Sequence, residues 1–210
     1  MNFLKLCQQS FNKDIPIRAA RIVFILVAVV VSFSYANEIS EINLKKAAAY
    51  IDQESYKNAL KIYKNIEDRL DSIDSIQKSR IFNNIGFCAF KLKLYEEAEV
   101  YYRRALLLND VYITCLNNLG VLLIRREKYI EAQVFLQKAY DLDNKNIKVI
   151  INLAVCCVHR QDKKQAIHYI SEAFSIDERY TRLRLKAHHF KDSDIFRLKE
   201  YINLESKKVL

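Results

Sequence analysis

Residues 84–98 read NIGFCAFKLKLYEEA, and residues 118–132 read NLGVLLIRREKYIEA. The two stretches share Asn, a bulky residue and Gly at their start (Asn84-Ile85-Gly86, Asn118-Leu119-Gly120), then Tyr95 or Tyr129, then Ala98 or Ala132. A further alanine follows at Ala105 and Ala139, so every landmark recurs at a spacing of 34 residues. Gly86 and Gly120 are the only 2 glycines of the chain. A fixed period of this length marks an array of helical hairpins, each of which buries its apolar face only by stacking on its neighbours.

The period extends in both directions. Asn152-Leu153-Ala154 lies 34 residues beyond the second landmark, with Ala166 and Ala173 at the expected offsets and Lys163 in place of the tyrosine. Upstream, Ala47, Tyr56, Ala59 and Ile66 form a weaker copy. The step from Tyr56 to Tyr95 is 39 residues, so five extra residues fall between these copies, and the stretch 68–76 (DRLDSIDSI) is where they fit. Within each copy the apolar residues follow helical spacing, as in Ile85, Cys88, Ala89 and Leu92, then Ala98, Tyr101, Tyr102, Ala105 and Leu108. Small residues stand where two helices must approach closely. The single proline is Pro16, and this scarcity of Pro and Gly suits nearly continuous helix. The pattern predicts helices over 41–53, 56–70, 76–92, 95–108, 111–126, 129–142, 145–160, 163–176, 179–190 and 193–206.

These offsets resemble the tetratricopeptide repeat family over about residues 40–180, with copies at about 40–73, 79–112, 113–146 and 147–180. One departure is that Asp110, Asn144 and Glu178 stand where the family often closes a repeat with proline. The resemblance implies an all-α, right-handed α-solenoid of about four helical hairpins. Residues 181–210 are then basic capping helices and tail, because a solenoid must cover its exposed final core.

The first residues have another character. Residues 1–21 carry Lys5, Lys13, Arg18 and Arg21 against Asp14, and the uncharged run 22–36 ends in Ser34-Tyr35-Ala36. A basic leader, a short apolar run and small residues before a boundary describe a secretory signal peptide cleaved after Ala36. The long leader also fits an uncleaved signal anchor, and an interfacial helix is a third option. The two leading readings place the repeats outside the cytoplasm, in a periplasm or its equivalent, or tethered there by residues 22–36.

Loss of residues 1–36 lowers the formal net charge from +9 to +6, and the segment 179–208 supplies most of what remains. That segment is read as a solvated cap, with contact to an anionic membrane surface as the special alternative; no nucleic-acid partner is expected. Cys88, Cys115, Cys156 and Cys157 fall on predicted helices among apolar neighbours and are expected to be buried free thiols. An oxidising compartment usually selects for disulfides, so this stands in tension with export. Cys156, Cys157 and His159 lack the further ligands a metal site needs. No nucleophile turn or glycine-rich phosphate loop is present, so no cofactor, metal or enzymatic activity is expected.

The resemblance also implies a ligand surface. The first helix of each hairpin lines the inner groove, which brings in Arg80, Asn84, Thr114, Asn118, Lys148 and Asn152, extended by Lys91, Arg125, His159 and Arg160. Some co-chaperones of this family hold a partner's terminal carboxylates with a cation and Asn in one repeat, Asn in the next and two cations in the third. Arg80, Asn84, Asn118 and Lys148 match four of those places, and Asn152 stands where the second cation is expected. In ordinary repeats an Asn at this place instead bonds to neighbouring backbone. The expected function is a non-catalytic scaffold that captures a peptide, acidic or ending in a carboxylate, from an envelope or secretion partner. A self-associating structural repeat protein, or a regulatory subunit of a membrane enzyme or transporter, are the alternatives.

Overall fold

The computed structural model describes residues 25–27, 41–67, 73–185, 196–198 and 200. Among them every regular element is a helix. We label the helices α1 (41–52), α2 (Tyr56–Glu67), α3 (Ser75–Lys91), α4 (Tyr95–Leu108), α5 (Ile113–Arg125), α6 (Tyr129–Leu142), α7 (Ile147–His159), α8 (Lys163–Ile176) and α9 (Glu178–Leu185). The bounds of α4, α6 and α8 match the sequence expectation, and those of α3, α5 and α7 differ from it by one or two residues. The shortfall at the starts of α5 and α7 has a local cause: Tyr112 and Asn146, the residues before them, have non-helical backbone, with ψ of 89° and 94°.

The dominant packing joins α3 to α4, α5 to α6 and α7 to α8, and successive hairpins stack through α4 on α5 and α6 on α7. This is a helical solenoid. Small residues set the closeness of each hairpin. A Cβ on Gly86 would lie 2.8 Å from the Tyr102 ring and 3.2 Å from the Ala98 carbonyl oxygen, and one on Gly120 would lie 2.6 Å from Leu136. Ala98, Ala105, Ala132, Ala139, Ala166 and Ala173 are all buried in one continuous core.

The turn within each hairpin is a recurring left-handed cap. Glu54, Lys93, Glu127 and Gln161 have φ of 56°, 63°, 63° and 61°. At Lys93 the amide donates to the Phe90 carbonyl and the next amide, Leu94, donates to Ala89, which closes a Schellman motif. Glu127 with Lys128, Gln161 with Asp162, and Glu54 with Ser55 repeat the same pair of bonds. The left-handed residues are thus spaced 39, 34 and 34 apart, and the backbone itself records the five-residue insertion.

The basic leader and the Ala36 boundary lie outside the described residues. Of the apolar run 22–36 only 25–27 are described, and they are helical and exposed. Among the described residues no helix is long and apolar enough to cross a membrane. The expected helix 193–206 is represented by helical residues 196–198 and 200, and Leu198 belongs to the buried core.

Candidate peptide-binding groove

The first helices of the hairpins (α3, α5 and α7) form one wall of the solenoid, and a cavity of about 300 Å³ opens along them. Its apolar floor is Phe87, Phe90, Tyr102, Ile113 and Val121. Its polar lining is Lys91, Thr114, Asn117, Asn118, Asn146, Lys148 and Arg184. Three cations and three amides therefore converge on a partly apolar trough, and no carboxylate lines it. The volume sits at the lower end of ligand-sized sites. Lys91 rests its ammonium 5.5 Å from the Tyr56 ring centroid and 5.6 Å from that of Phe87, contacts that hold a cation against an aromatic face.

Of the residues singled out from sequence, Lys91, Thr114, Asn118 and Lys148 line this cavity, whereas Arg80, Asn84, Arg125 and Asn152 do not. Arg80 is exposed near Tyr112, whose phenol is raised by burial and by Cys115 and lowered in part by the Arg80 charge. The asparagines are engaged between hairpins. Asn84 donates to the Tyr63 hydroxyl at 3.1 Å, Asn118 to Asn83 at 3.0 Å and Asn152 to Asn117 at 2.8 Å. Their partners are side chains rather than the neighbouring backbone that ordinary repeats use. Asn152 is 1% exposed, so its side chain lies beneath the surface.

His159 and Arg160 do not extend the lining either. His159 stacks on Tyr129 with centroids 3.8 Å apart, and Arg160 bonds to Gln133 on the second helix of the preceding hairpin. Eight lining residues were not predicted as ligands, Phe87, Asn117, Asn146 and Arg184 among them. Phe87 and Val121 occupy the position after each glycine, and that equivalence was available in the sequence. Arg184 comes from α9, assigned from its charge alone to a solvated cap.

Elsewhere the described residues hold no three His, Cys, Asp or Glu side chains gathered so as to bind a metal ion. Among the described residues the four thiols, Cys88, Cys115, Cys156 and Cys157, are free and buried, and Cys115 donates to the Tyr102 carbonyl at 3.4 Å. The opposite wall, made by the second helices, is laced by ion pairs. Glu99 receives Arg103, Arg126 and Lys128, and Glu67 receives Arg104 and the Tyr101 hydroxyl.

Stacked helical hairpins joined by repeating side-chain bonds, with a trough along their first helices, define a repeat solenoid of the interaction type. Tetratricopeptide repeat models match residues 77–145 and 123–188, together more than half of the chain. The chain belongs to the tetratricopeptide repeat family. Solved structures share the fold at low identity. YrrB, described as a tetratricopeptide protein with an unusual peptide-binding site, is 18% identical over 89% of this chain and 98% of its own, with a TM-score of 0.59. PilF of Pseudomonas aeruginosa is 17% identical over 83% of this chain and 72% of its own, with a TM-score of 0.64. The first tetratricopeptide domain of Spaghetti (RPAP3), bound to the HSP90 peptide SRMEEVD, is 14% identical over 62% of this chain and 95% of its own, with a TM-score of 0.52. No curated protein sequence matches this chain.

Proposed function

We propose that this protein is a non-catalytic scaffold whose groove captures a peptide bearing carboxylates. The observation that carries this reading is the lining of the cavity: Lys91, Lys148 and Arg184 with three amides, and no acid among them. Cations and amide donors around a partly apolar trough suit a carboxylate on an extended peptide, through charge-assisted hydrogen bonds. The RPAP3 domain of similar fold was solved with a peptide ending in Glu-Glu-Val-Asp, which supports the same ligand class.

Fluorescence anisotropy with labelled SRMEEVD, against a control in which its three acids are replaced by Gln, tests the reading. The acidic peptide should bind and the control should not. Lys91→Ala with Lys148→Ala should weaken binding at least about tenfold, the loss expected for about two charge-assisted contacts. Arg80→Ala, outside the cavity, should change it little. Equal binding of both peptides would sink the proposal.

We further propose that the scaffold works outside the cytoplasm for an envelope or secretion partner, either freed by cleavage after Ala36 or tethered by residues 22–36. The basic leader and apolar run support this reading. An intact mass lacking 36 residues in the native protein would establish cleavage. A full-length mass together with membrane fractionation would establish the tether. Contact of the basic segment 181–210 with anionic lipid belongs to the tethered form, and flotation with phosphatidylglycerol vesicles reads it.

A further inference from the structure

The wall made by the second helices carries an outward stripe, and on α6 that stripe is apolar. Ile130 is 74% exposed and Val134, one turn on, is 64% exposed. A shallow hollow runs along them, lined also by Gln133, Gln137 and Arg160. The 34-residue register puts Glu96 of α4 and Lys164 of α8 level with Ile130, and all three side chains are exposed. α6 lies between the other two helices. The Arg103–Glu131 ion pair joins it to α4, and the bonds of Tyr140 to Glu172 and of Tyr169 to Gln137 join it to α8. An acid, an apolar residue and a base therefore stand in one row across this wall. One turn further the row reads Val100, Val134 and His168, all exposed.

We propose that a second copy of this chain covers the stripe, with α6 packed on its own counterpart about a two-fold axis that runs along the helix. Such an axis sets Ile130 and Val134 each against itself. It also exchanges the flanks, so Glu96 of each copy meets Lys164 of the other, twice in the dimer. The charge pattern selects this axis over its alternative. A two-fold between α4 and α6 would still bring Val100 onto Val134, but it would set Lys57 of α2 opposite Lys164, two exposed lysines. Helices packed face to face cross at an angle, so the two copies diverge towards Asp141 at the far end. The contact lies on the wall away from the groove, and both grooves stay open. A partner with two acidic segments would then be held by both at once and gain avidity. The dimer itself does not depend on what the groove binds, so its failure would leave the acidic-peptide reading standing.

Sedimentation velocity of the full chain from about 1 to 100 μM tests the arrangement, and should show a reversible dimer, weak because the contact is small. Ile130→Glu with Val134→Glu should abolish it. Glu96→Lys and Lys164→Glu should each weaken it at least about tenfold, since like charges then face each other at both contacts. The two reversals together should restore the dimer to within about threefold of the parent. In a Cys7→Ser chain, Val134→Cys should form a disulfide-linked dimer on mild oxidation, because the axis sets that residue beside its own copy. Leu107→Cys, on the same wall and 85% exposed in the parent, should not. A chain that stays monomeric throughout, a dimer untouched by the two glutamates, or paired reversals no better than one would each overturn the proposal. Should the two glutamates disturb the fold, which circular dichroism reads, the charge reversals decide the matter alone.

Discussion

Asn118 donates its side-chain amide to Asn83 at 3.0 Å across the boundary between two hairpins, and Asn152 repeats the contact to Asn117 at 2.8 Å one period later. Each pair ties the first helix of a repeat to the first helix of the next. Asn83 is 4% exposed, so its oxygen has no water to replace a lost donor. Asn118→Leu should destabilise the chain by about 1–3 kcal/mol, the cost of an unsatisfied buried acceptor. Replacing both Asn83 and Asn118 by Leu should recover part of that loss. Urea midpoints of the two singles and the double form the cycle.

The glycines make a second prediction, in which two effects oppose. Alanine gains about 1 kcal/mol over glycine inside a helix. At Gly120, however, the new Cβ would stand 2.6 Å from buried Leu136, and overpacking of this kind costs about 1–3 kcal/mol. Gly120→Ala should therefore be neutral to modestly destabilising. Gly86→Ala should be worse, since a carbonyl oxygen at 3.2 Å as well as the Tyr102 ring would have to yield. The fourth copy shows the tolerated alternative, with Ala154 opposite Ile170 at the equivalent positions, both fully buried. Leu136→Ile combined with Gly120→Ala should recover stability relative to Gly120→Ala alone.

The left-handed turns offer a gain in place of a loss. Lys93, Glu127 and Gln161 hold φ near +62° with side chains that disfavour it. Left-handed backbone costs an L-residue roughly 1 kcal/mol, and glycine escapes that penalty. Lys93→Gly, Glu127→Gly and Gln161→Gly should each raise stability by up to about 1 kcal/mol, reduced by the greater entropy of the unfolded glycine chain. The three sites lie in separate hairpins at a spacing of 34 residues, so the gains should add in thermal unfolding.

How far the sequence carried the reading depends on which residues spoke through spacing. Gly86, Gly120 and the alanines are constrained by helix-to-helix distance, and that constraint acts on size alone, so a 34-residue rhythm was enough to place them. The first-copy offset was equally plain, because the insertion shifts a whole turn and reappears at Glu54. The groove was legible only in part. Lys91, Asn118 and Lys148 were found because they project from first helices, but Asn152 has the same register and lies buried. The repeat offset fixes its register but not how deeply the surrounding packing buries it. Arg184 was missed because α9 lies beyond the clean copies, so the periodicity does not specify its neighbours.

Acid sensitivity follows from Glu99. Burial pushes its carboxyl up, but the hydrogen bond from Arg103 and the charges of Lys128, Arg103 and Arg126 outweigh this and hold it below the ordinary value of 4.5. A carboxylate depressed in the folded state contributes stability that is present above the unfolded value and lost as pH falls through the folded one. Stability should therefore drop as pH falls below about 4.5. Glu99→Gln should cost about 1–2 kcal/mol at pH 7 and flatten the acid limb, since the three cations lose a shared acceptor. Urea midpoints between pH 3 and 7 check both statements.

At the alkaline end the buried thiols are the first of the raised groups to set the slope, ahead of the tyrosines with their ordinary value of 10.0. Burial pushes Cys88 and Cys115 up to about 12 and Cys157 up to about 11, from an ordinary value of 9.0. A group raised on folding favours the native state fully below its unfolded value, and that advantage is lost as pH rises through the folded one. Above about pH 9 the unfolded chain releases these protons while the native chain keeps them, so stability declines by up to about 1.4 kcal/mol per unit for each thiol. Cys88→Ala should reduce that slope by one thiol's share, even though the cavity it leaves lowers stability at every pH. The same burial keeps the nucleophilic thiolate scarce, so free cysteines are compatible with the export proposed above. At pH 8 Cys88, Cys115, Cys156 and Cys157 should resist iodoacetamide in the native chain and should all be modified once urea unfolds it. Rapid modification of the native chain would show that the thiols are not shielded.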